Sequence, residues 1–289
     1  MSIAEEPRRE ANVADLETIG YLVHCCSADL LNSMNLVFDL GQQFFRRPII
    51  EKRRNATLSP LDGYRDIGLE YSRTAKRPDL AESFCVHRRY RGRIERDFDQ
   101  LALALYDAMV KCMQQLDRIT DGVTIALEEY FKSIRPPRPA FQCNSASYMQ
   151  LNYYRPKEHR RQILQDAHED GHYLTFTKST KPGLEVRNGP KEFVPANIDE
   201  DHILVMPGEI LSLLSGGRID PLIHRVMADR TVNERLSLMY FVNPNVGTDN
   251  TLKPWIPAKQ EACGVDILQR AVENPTRFGL PPLPIAAPE

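Results

Sequence analysis

The chain has 289 residues, 42% of them hydrophobic and 26% charged, and its 37 basic and 39 acidic side chains leave a net charge of -2. That is the composition of a folded globular chain with enough apolar residues to build a core without disulfide or metal staples. It argues against a nucleic-acid binder, which carries a basic excess, and no stretch approaches the ~20 apolar residues of a membrane span.

The first twenty residues are polar and carry both signs of charge, without the apolar stretch of a secretory leader. Cys25, Cys26, Cys85, Cys112, Cys143 and Cys263 form no C-x-x-C pair and read as reduced thiols. The expectation is a cytoplasmic protein with neither a nucleic-acid nor a membrane partner. Nothing in the sequence fixes its oligomeric state.

In chain order, Leu30–Phe45 reads as one helix and Pro60–Tyr64 as a turn. The basic run His87–Arg93 reads as a solvated loop, with recognition of an anion as the alternative. From Arg93 to Ser133 the pattern is helical. Phe98, Leu101, Ala102, Leu105, Tyr106, Met109, Cys112, Met113 and Leu116 fall on one stripe at spacings of three and four. Asp121-Gly122 predicts a break, with a second helix over Val123–Phe131, and the prolines at 136, 137 and 139 end all helix.

Beyond residue 145 the period drops to two. Tyr148, Gln150, Asn152 and Tyr154 share one face of a strand. Strand-like runs follow at Tyr173–Thr177, Ile203–Met206, Ile210–Leu214, Leu222–Val226 and Leu236–Val242. They are punctuated by Lys181-Pro182-Gly183, Asn188-Gly189-Pro190, Pro207-Gly208 and Gly216-Gly217. Many short strands at this spacing predict a barrel or jelly roll.

The segment His168-Glu169-Asp170-Gly171-His172 matches the H-E-x-x-H zinc peptidase pattern, which works only on a helix. A central glycine costs a helix ~1 kcal/mol, and the residues that follow prefer strands, so that reading fails. The same text also reads as H-x-D on a strand edge, where alternate side chains point the same way. His224 lies in a later strand-like run and supplies a third ligand. Two histidines and one carboxylate on one octahedral face make a site for non-haem Fe(II) with open positions. Arg235 and Ser237 share one strand face further on, and a guanidinium there can hold a carboxylate.

These residues resemble the isopenicillin N synthase-like group of Fe(II)/2-oxoglutarate-dependent oxygenases. The resemblance is carried by Leu151–Pro156, His168–Thr175, Val205–Glu209, Leu213–Arg218, His224–Val226 and Arg235–Pro244, with weaker echoes at Gly20–Val23, Phe44–Pro48 and Gly63-Tyr64. It implies a mainly β fold with flanking helices, a double-stranded β-helix (jelly roll). Residues 141–245 would form its core with the metal site, 1–140 a helical and mixed region packed on the barrel, and 246–289 a C-terminal helix and tail, all in one structural unit. Two departures are a short opening that lacks most of the family's first strand, and His24-Cys25-Cys26 where the family often has Asn-His-Gly.

By resemblance, His168, Asp170 and His224 bind Fe(II), Arg235 and Ser237 take the far carboxylate of 2-oxoglutarate, and Asn152 and Tyr154 are nearby co-substrate contacts. The cofactors implied are Fe(II), 2-oxoglutarate and O2. The reaction implied is hydroxylation, desaturation or cyclisation of a small molecule in specialised metabolism. Related halogenases have a small residue at the position of Asp170. Tyr148, Gln150, His172, Met239 and Phe241 are the expected substrate-facing residues. The alternatives are an iron oxidase of the same fold that works without 2-oxoglutarate and a non-catalytic ligand-binding jelly roll.

Overall fold

The computed structural model describes residues 12–57, 62–87, 98–131, 147–187 and 192–243, together with the backbone of 251–252 and 265–266. A short helix α1 (Ala14–Thr18) precedes strand β1 (Leu22–Cys25), helix α2 (Ala28–Phe45) and helix α3 (Ile49–Arg53). Strands β2 (Gly63–Arg65) and β3 (Glu82–Val86) lead to the long helix α4 (Gln100–Tyr130). Then come β4 (Tyr148–Tyr154), β5 (Ile163–His168), β6 (Leu174–Ser179), β7 (Leu184–Arg187), β8 (Val194–Pro195) and β9 (His202–Pro207). Helix α5 (Glu209–Leu214) and strands β10 (Ile223–Met227) and β11 (Arg235–Val242) follow.

Among the described residues the strands form a seven-stranded sheet, β1-β9-β6-β11-β4-β3-β2, and a four-stranded sheet, β5-β10-β7-β8, antiparallel throughout. This is the jelly roll that the period-two pattern and the resemblance implied. Strands β1 to β3, from the N-terminal region, belong to the same large sheet as β4 and β11.

Alternation along each strand divides the large sheet into two faces. Met149, Leu151 and Tyr153 of β4, with Leu236, Leu238, Tyr240 and Val242 of β11, join the buried stripes of α2 and α4 in one core. The opposite face, with Tyr148, Gln150, Asn152 and Tyr154, turns toward the small sheet. Helix α2 lies close against the large sheet, because a Cβ on Gly41 would come within 2.3 Å of Leu151 Cδ2. Between the sheets sit two smaller apolar clusters. One is Ala81, Tyr154, Leu164 and Val226; the other is Val186, Leu204, Met206 and Leu222.

Helix starts follow their caps. Ser27 Oγ accepts the Leu30 N–H, and Asp99 Oδ1 accepts those of Leu101 and Ala102. The expected break at Asp121-Gly122 is absent: α4 runs through it. Gly122 is exposed with nothing near its missing Cβ. Burial of Val123 and Leu127 on the same stripe offsets the ~1 kcal/mol that glycine costs a helix.

Ile210–Leu214, expected as a strand, is helix α5 instead. Its Ile210, Leu211 and Leu214 bury at helical spacing, and its first N–H groups are taken by the loop that carries Asp170, as described below. Of the expected Pro60–Tyr64 turn, Gly63 and Tyr64 open strand β2, and residues 58–61 lie outside the described residues. So do Arg88–Arg93, the proline run after α4, Asn188-Gly189-Pro190, and most of the expected C-terminal helix and tail. Within that tail two short strands, Thr251–Leu252 and Val265–Asp266, pair with each other.

Asp62 offers a test of this packing. Its carboxylate is buried and accepts the His87 N–H at 2.8 Å. Burial pushes its pKa up to about 7 from an ordinary 3.8, against the pull of the His87 N–H and the Arg65 charge. The folded state therefore holds this proton where the unfolded state has lost it. The stability involved is fully present below pH ~4 and is lost as pH rises through about 7. Asp62→Asn keeps the acceptor and removes the titration. Between pH 5 and pH 8 the variant's Tm should fall less than that of the unmodified protein in parallel thermal melts.

Candidate metal centre

Strands β5 and β10 lie side by side with His168 opposite His224. The two rings face each other at 4.2 Å between centroids. Asp170 is not on the strand, as the H-x-D reading expected; β5 ends at His168 and Asp170 sits in the loop before β6. The loop still brings its carboxylate to the histidines. Asp170 Oδ1 lies 3.7 Å from His168 Nε2 and 3.8 Å from His224 Nε2.

Three contacts fix that loop. The Gly208 N–H donates to Tyr173 O, the Glu209 N–H to Asp170 O and the Ile210 N–H to His172 O, at 3.2, 2.9 and 3.2 Å. A side chain at 208 would overlap His172 O, only 2.0 Å from an ideal Cβ. The glycine of Pro207-Gly208 thus lets α5 press directly on the loop.

The other atoms of the three side chains are engaged elsewhere. His168 Nδ1 lies 2.8 Å from Asp166 O and His224 Nδ1 lies 3.2 Å from Leu222 O. A carbonyl only accepts, so each Nδ1 carries the proton and each Nε2 keeps its lone pair. Thr175 Oγ1 donates to Asp170 Oδ2 at 2.6 Å, leaving Oδ1 turned toward the imidazoles. All three ligand atoms lie within 4.8 Å of one another. Burial, with His224 beside it, lowers the His168 pKa and favours the neutral ring. Burial works to raise the Asp170 pKa, but the neighbouring histidines and the Thr175 hydroxyl outweigh it and leave it lowered. Two imidazoles and a carboxylate are the donor set of a non-haem Fe(II) site.

Arg235 opens β11, fully buried, beneath Gly183. Its Nε donates to Lys181 O and Pro182 O, both at 3.1 Å, and Nη2 donates to Ser179 Oγ at 2.7 Å. Ser179 Oγ is 3.1 Å from Ser237 Oγ. Nη1 has no partner among the described residues. The guanidinium lies 5.3 Å from the Tyr154 ring centre, and burial lowers its pKa. The Met227 N–H donates to Gly183 O, so three residues of β10, or roughly 10 Å, separate this end from His224. A buried cation with an unfilled donor, that far from the ligand cluster, fits the far carboxylate of a five-carbon diacid whose near end reaches the metal.

The inner face of β4 forms a continuous polar ladder. Gln150 Nε2 donates to Asn152 Oδ1 and Glu70 Oε2, both at 2.8 Å. Asn152 Nδ2 donates to the Tyr154 hydroxyl at 3.1 Å, which donates to Gln165 Oε1 at 3.0 Å. Asn152 and Tyr154 thus share a face with Ser237 and Arg235, their partners on β11.

Nearer the ligand cluster the lining is aromatic. Tyr148 stacks on Phe241 at 4.7 Å, His172 packs on Phe241 at 4.6 Å, and Met239 shares the face. His172 is not in the ligand cluster. Its Nδ1 meets Asn243 Oδ1 at 3.0 Å and its Nε2 faces the Tyr148 hydroxyl at 3.4 Å.

Thr175 and Ser179 escaped the sequence reading, although Thr175, Thr177 and Ser179 alternate polar along β6. Glu70 and Arg65 carried no periodic signal.

A double-stranded β-helix with two histidines and a carboxylate converging in its interior presents a donor set that suits non-haem iron. Residues 145–244 match the family model of the 2OG-Fe(II) oxygenase superfamily. Similar proteins include the 2-oxoglutarate-dependent dioxygenase ecdG of Aspergillus rugulosus, 32% identical over 129 residues, 41% of this chain and 38% of that protein. Another is gibberellin 3-beta-dioxygenase 2-3 of Triticum aestivum, 30% identical over 136 residues, 46% of this chain and 35% of that protein. These two matches span little more than a third of each relative. The fold resembles that of the dioxygenase for auxin oxidation 1 from Arabidopsis thaliana in its 2-oxoglutarate complex, with a TM-score of 0.68 at 19% identity over 86% of this chain and 94% of that one. No helix among the described residues is long and apolar enough to cross a membrane.

Proposed function

We propose that this chain is an Fe(II)- and 2-oxoglutarate-dependent oxygenase that oxidises a small molecule, with His168, Asp170 and His224 as the iron ligands. The observation that carries the reading is the convergence of His168 Nε2, His224 Nε2 and Asp170 Oδ1, each side chain's remaining polar atom being held elsewhere. Iron bound there, with 2-oxoglutarate and O2, supplies an oxidant strong enough to take hydrogen from a C–H bond, chemistry that no side chain has.

The chain's own residues do the rest. The carbonyls of Asp166 and Leu222 lock both imidazoles in the Nδ1–H form. Thr175 holds the carboxylate in one orientation. Arg235 and Ser237 fix the far end of 2-oxoglutarate, beside Asn152 and Tyr154. Tyr148, His172, Met239 and Phe241 form the wall that orients the substrate and keeps water out, with Gln150 beside them. The names of the fungal and plant relatives support a place in specialised metabolism. Part of the same proposal is a cytoplasmic location, where the free thiols of Cys25, Cys26, Cys85 and Cys112 stay reduced.

The test is succinate formation from 2-oxoglutarate under O2. It should require added Fe(II) and vanish in His168→Ala. Succinate release by His168→Ala at the unmodified rate would contradict the assignment. Thr175→Val, which removes the Asp170 Oδ2 contact with little change of shape, should weaken Fe(II) binding ~10–100-fold, as loss of an orienting partner does. Competition with a fluorescent chelator measures it.

A further inference from the structure

Arg65 ends β2, the edge strand of the large sheet. Its neighbour Tyr64 turns to the helix side, where its ring packs against Phe44 and Phe45. Arg65 therefore turns to the inner side. The register agrees: Arg65 pairs with Ser83, Ser83 with Asn152, Asn152 with Ser237 and Ser237 with Ser179. Directly paired residues face the same side of a sheet. One row therefore runs from Arg65 to the serines beside Arg235. Two strand spacings, or about 10 Å, separate Arg65 from Asn152.

The guanidinium is only partly used. Nη1 pairs with Glu70 Oε1. That carboxylate is held by Ser83 Oγ at 3.2 Å and Gln150 Nε2 at 2.8 Å. Nε and Nη2 are buried and have no partner among the described residues. These two nitrogens form the side edge of the guanidinium, where two parallel N–H bonds meet the two oxygens of a carboxylate.

No charged group among the described residues fills that edge. Asp62 is turned to the His87 N–H, and the Cys85 thiol, which donates to Gln150 Oε1 at 3.2 Å, also touches the guanidinium but is a weak, neutral acceptor. Tyr148, stacked on Phe241 and packed edge-on against His172, lies within electrostatic reach of both Arg65 and Asp170.

Resting on the oxygenase reading, we propose that Arg65 anchors the substrate through its Nε and Nη2 edge, and that the substrate is a carboxylic acid with an apolar body. Glu70 positions the guanidinium from its opposite side. The apolar body lies along Tyr148, Met239 and Phe241, with the bond to be oxidised presented toward His168, Asp170 and His224.

The test uses full-length protein loaded with Mn(II) and saturating 2-oxoglutarate without O2, so that the co-substrate site is filled. A series of straight-chain and arylalkyl carboxylic acids of graded length is titrated calorimetrically, each against its own primary amide. At least one acid should bind about 10-fold or more tighter than its amide. That preference should disappear in Arg65→Lys, which keeps a charge for Glu70 and loses the fork. A double variant, Arg65→Met with Glu70→Gln, removes the pair together and gives the same readout if Arg65→Lys misfolds. Affinity for 2-oxoglutarate should be unchanged in all three proteins. The proposal is overturned if no acid is preferred to its amide, or if the preference survives in the variants. Failure of the unmodified protein to bind 2-oxoglutarate would instead remove the oxygenase reading. The acid-against-amide comparison on unloaded protein would then still decide Arg65.

Discussion

His224→Ala should lose Fe(II) binding, while His172→Ala keeps it near normal. The two histidines are both buried and both close to Asp170, so proximity does not separate them. Their bonding does. His224 Nδ1 faces a backbone carbonyl, and its Nε2 points at Asp170 Oδ1. Both nitrogens of His172 already face Asn243 and Tyr148. Loss of a mere orienting partner costs a metal site ~10–100-fold, so loss of a direct ligand should exceed ~100-fold. Equilibrium dialysis against Fe(II) under anaerobic conditions measures both variants. Retained iron in His224→Ala with lost iron in His172→Ala would reverse the ligand assignment. His172→Ala should instead disturb Tyr148 and Phe241, and with them substrate binding.

Arg235→Leu is the second large effect. The guanidinium is fully buried, with Nε and Nη2 taken by Lys181 O, Pro182 O and Ser179 Oγ and with Nη1 unfilled among the described residues. An unpaired buried cation is costly, and a carboxylate arriving at Nη1 relieves that cost. Removing one member of such a buried pair costs ~2–5 kcal/mol, roughly 30- to several-thousand-fold in affinity. Arg235→Leu should weaken 2-oxoglutarate by at least that lower bound and leave Fe(II) affinity nearly unchanged. Arg235→Lys should fall between, since an ammonium has no fork to reach Ser179 and the carboxylate together. Succinate release against 2-oxoglutarate concentration reads all three proteins. Turnover of substrate with no 2-oxoglutarate requirement would mean that Arg235 holds the substrate instead.

The strands that build the interior were legible because their two faces differ in polarity. Tyr148, Gln150, Asn152 and Tyr154 alternate with Met149, Leu151 and Tyr153, and Arg235 and Ser237 with Leu236 and Leu238. The jelly roll and the candidate ligands followed from that alternation and from family resemblance.

Four features were hidden for physical reasons. Helix α5 is only six residues long, and Ile-Leu-x-Leu-Leu reads equally as strand; tertiary N–H bonds to the Asp170 loop decide it. The continuity of α4 through Asp121-Gly122 depends on Val123 and Leu127 finding a sheet to bury against, which local propensity does not register. Asp170 reaches the histidines from a loop rather than a strand, and Thr175 and the glycine at 208 set its direction. Arg65 could be placed only once β2 and β3 were paired to β4, because the row linking it to Ser237 runs across the sheet and not along the chain.

The most direct single measurement is anaerobic addition of Fe(II) and then 2-oxoglutarate to the unmodified protein, followed by visible absorption. Iron held by His168, Asp170 and His224, with 2-oxoglutarate chelating it and anchored at Arg235, predicts a weak charge-transfer band that saturates with 2-oxoglutarate and is absent in His224→Ala. Iron bound with no band at any 2-oxoglutarate concentration would contradict the account.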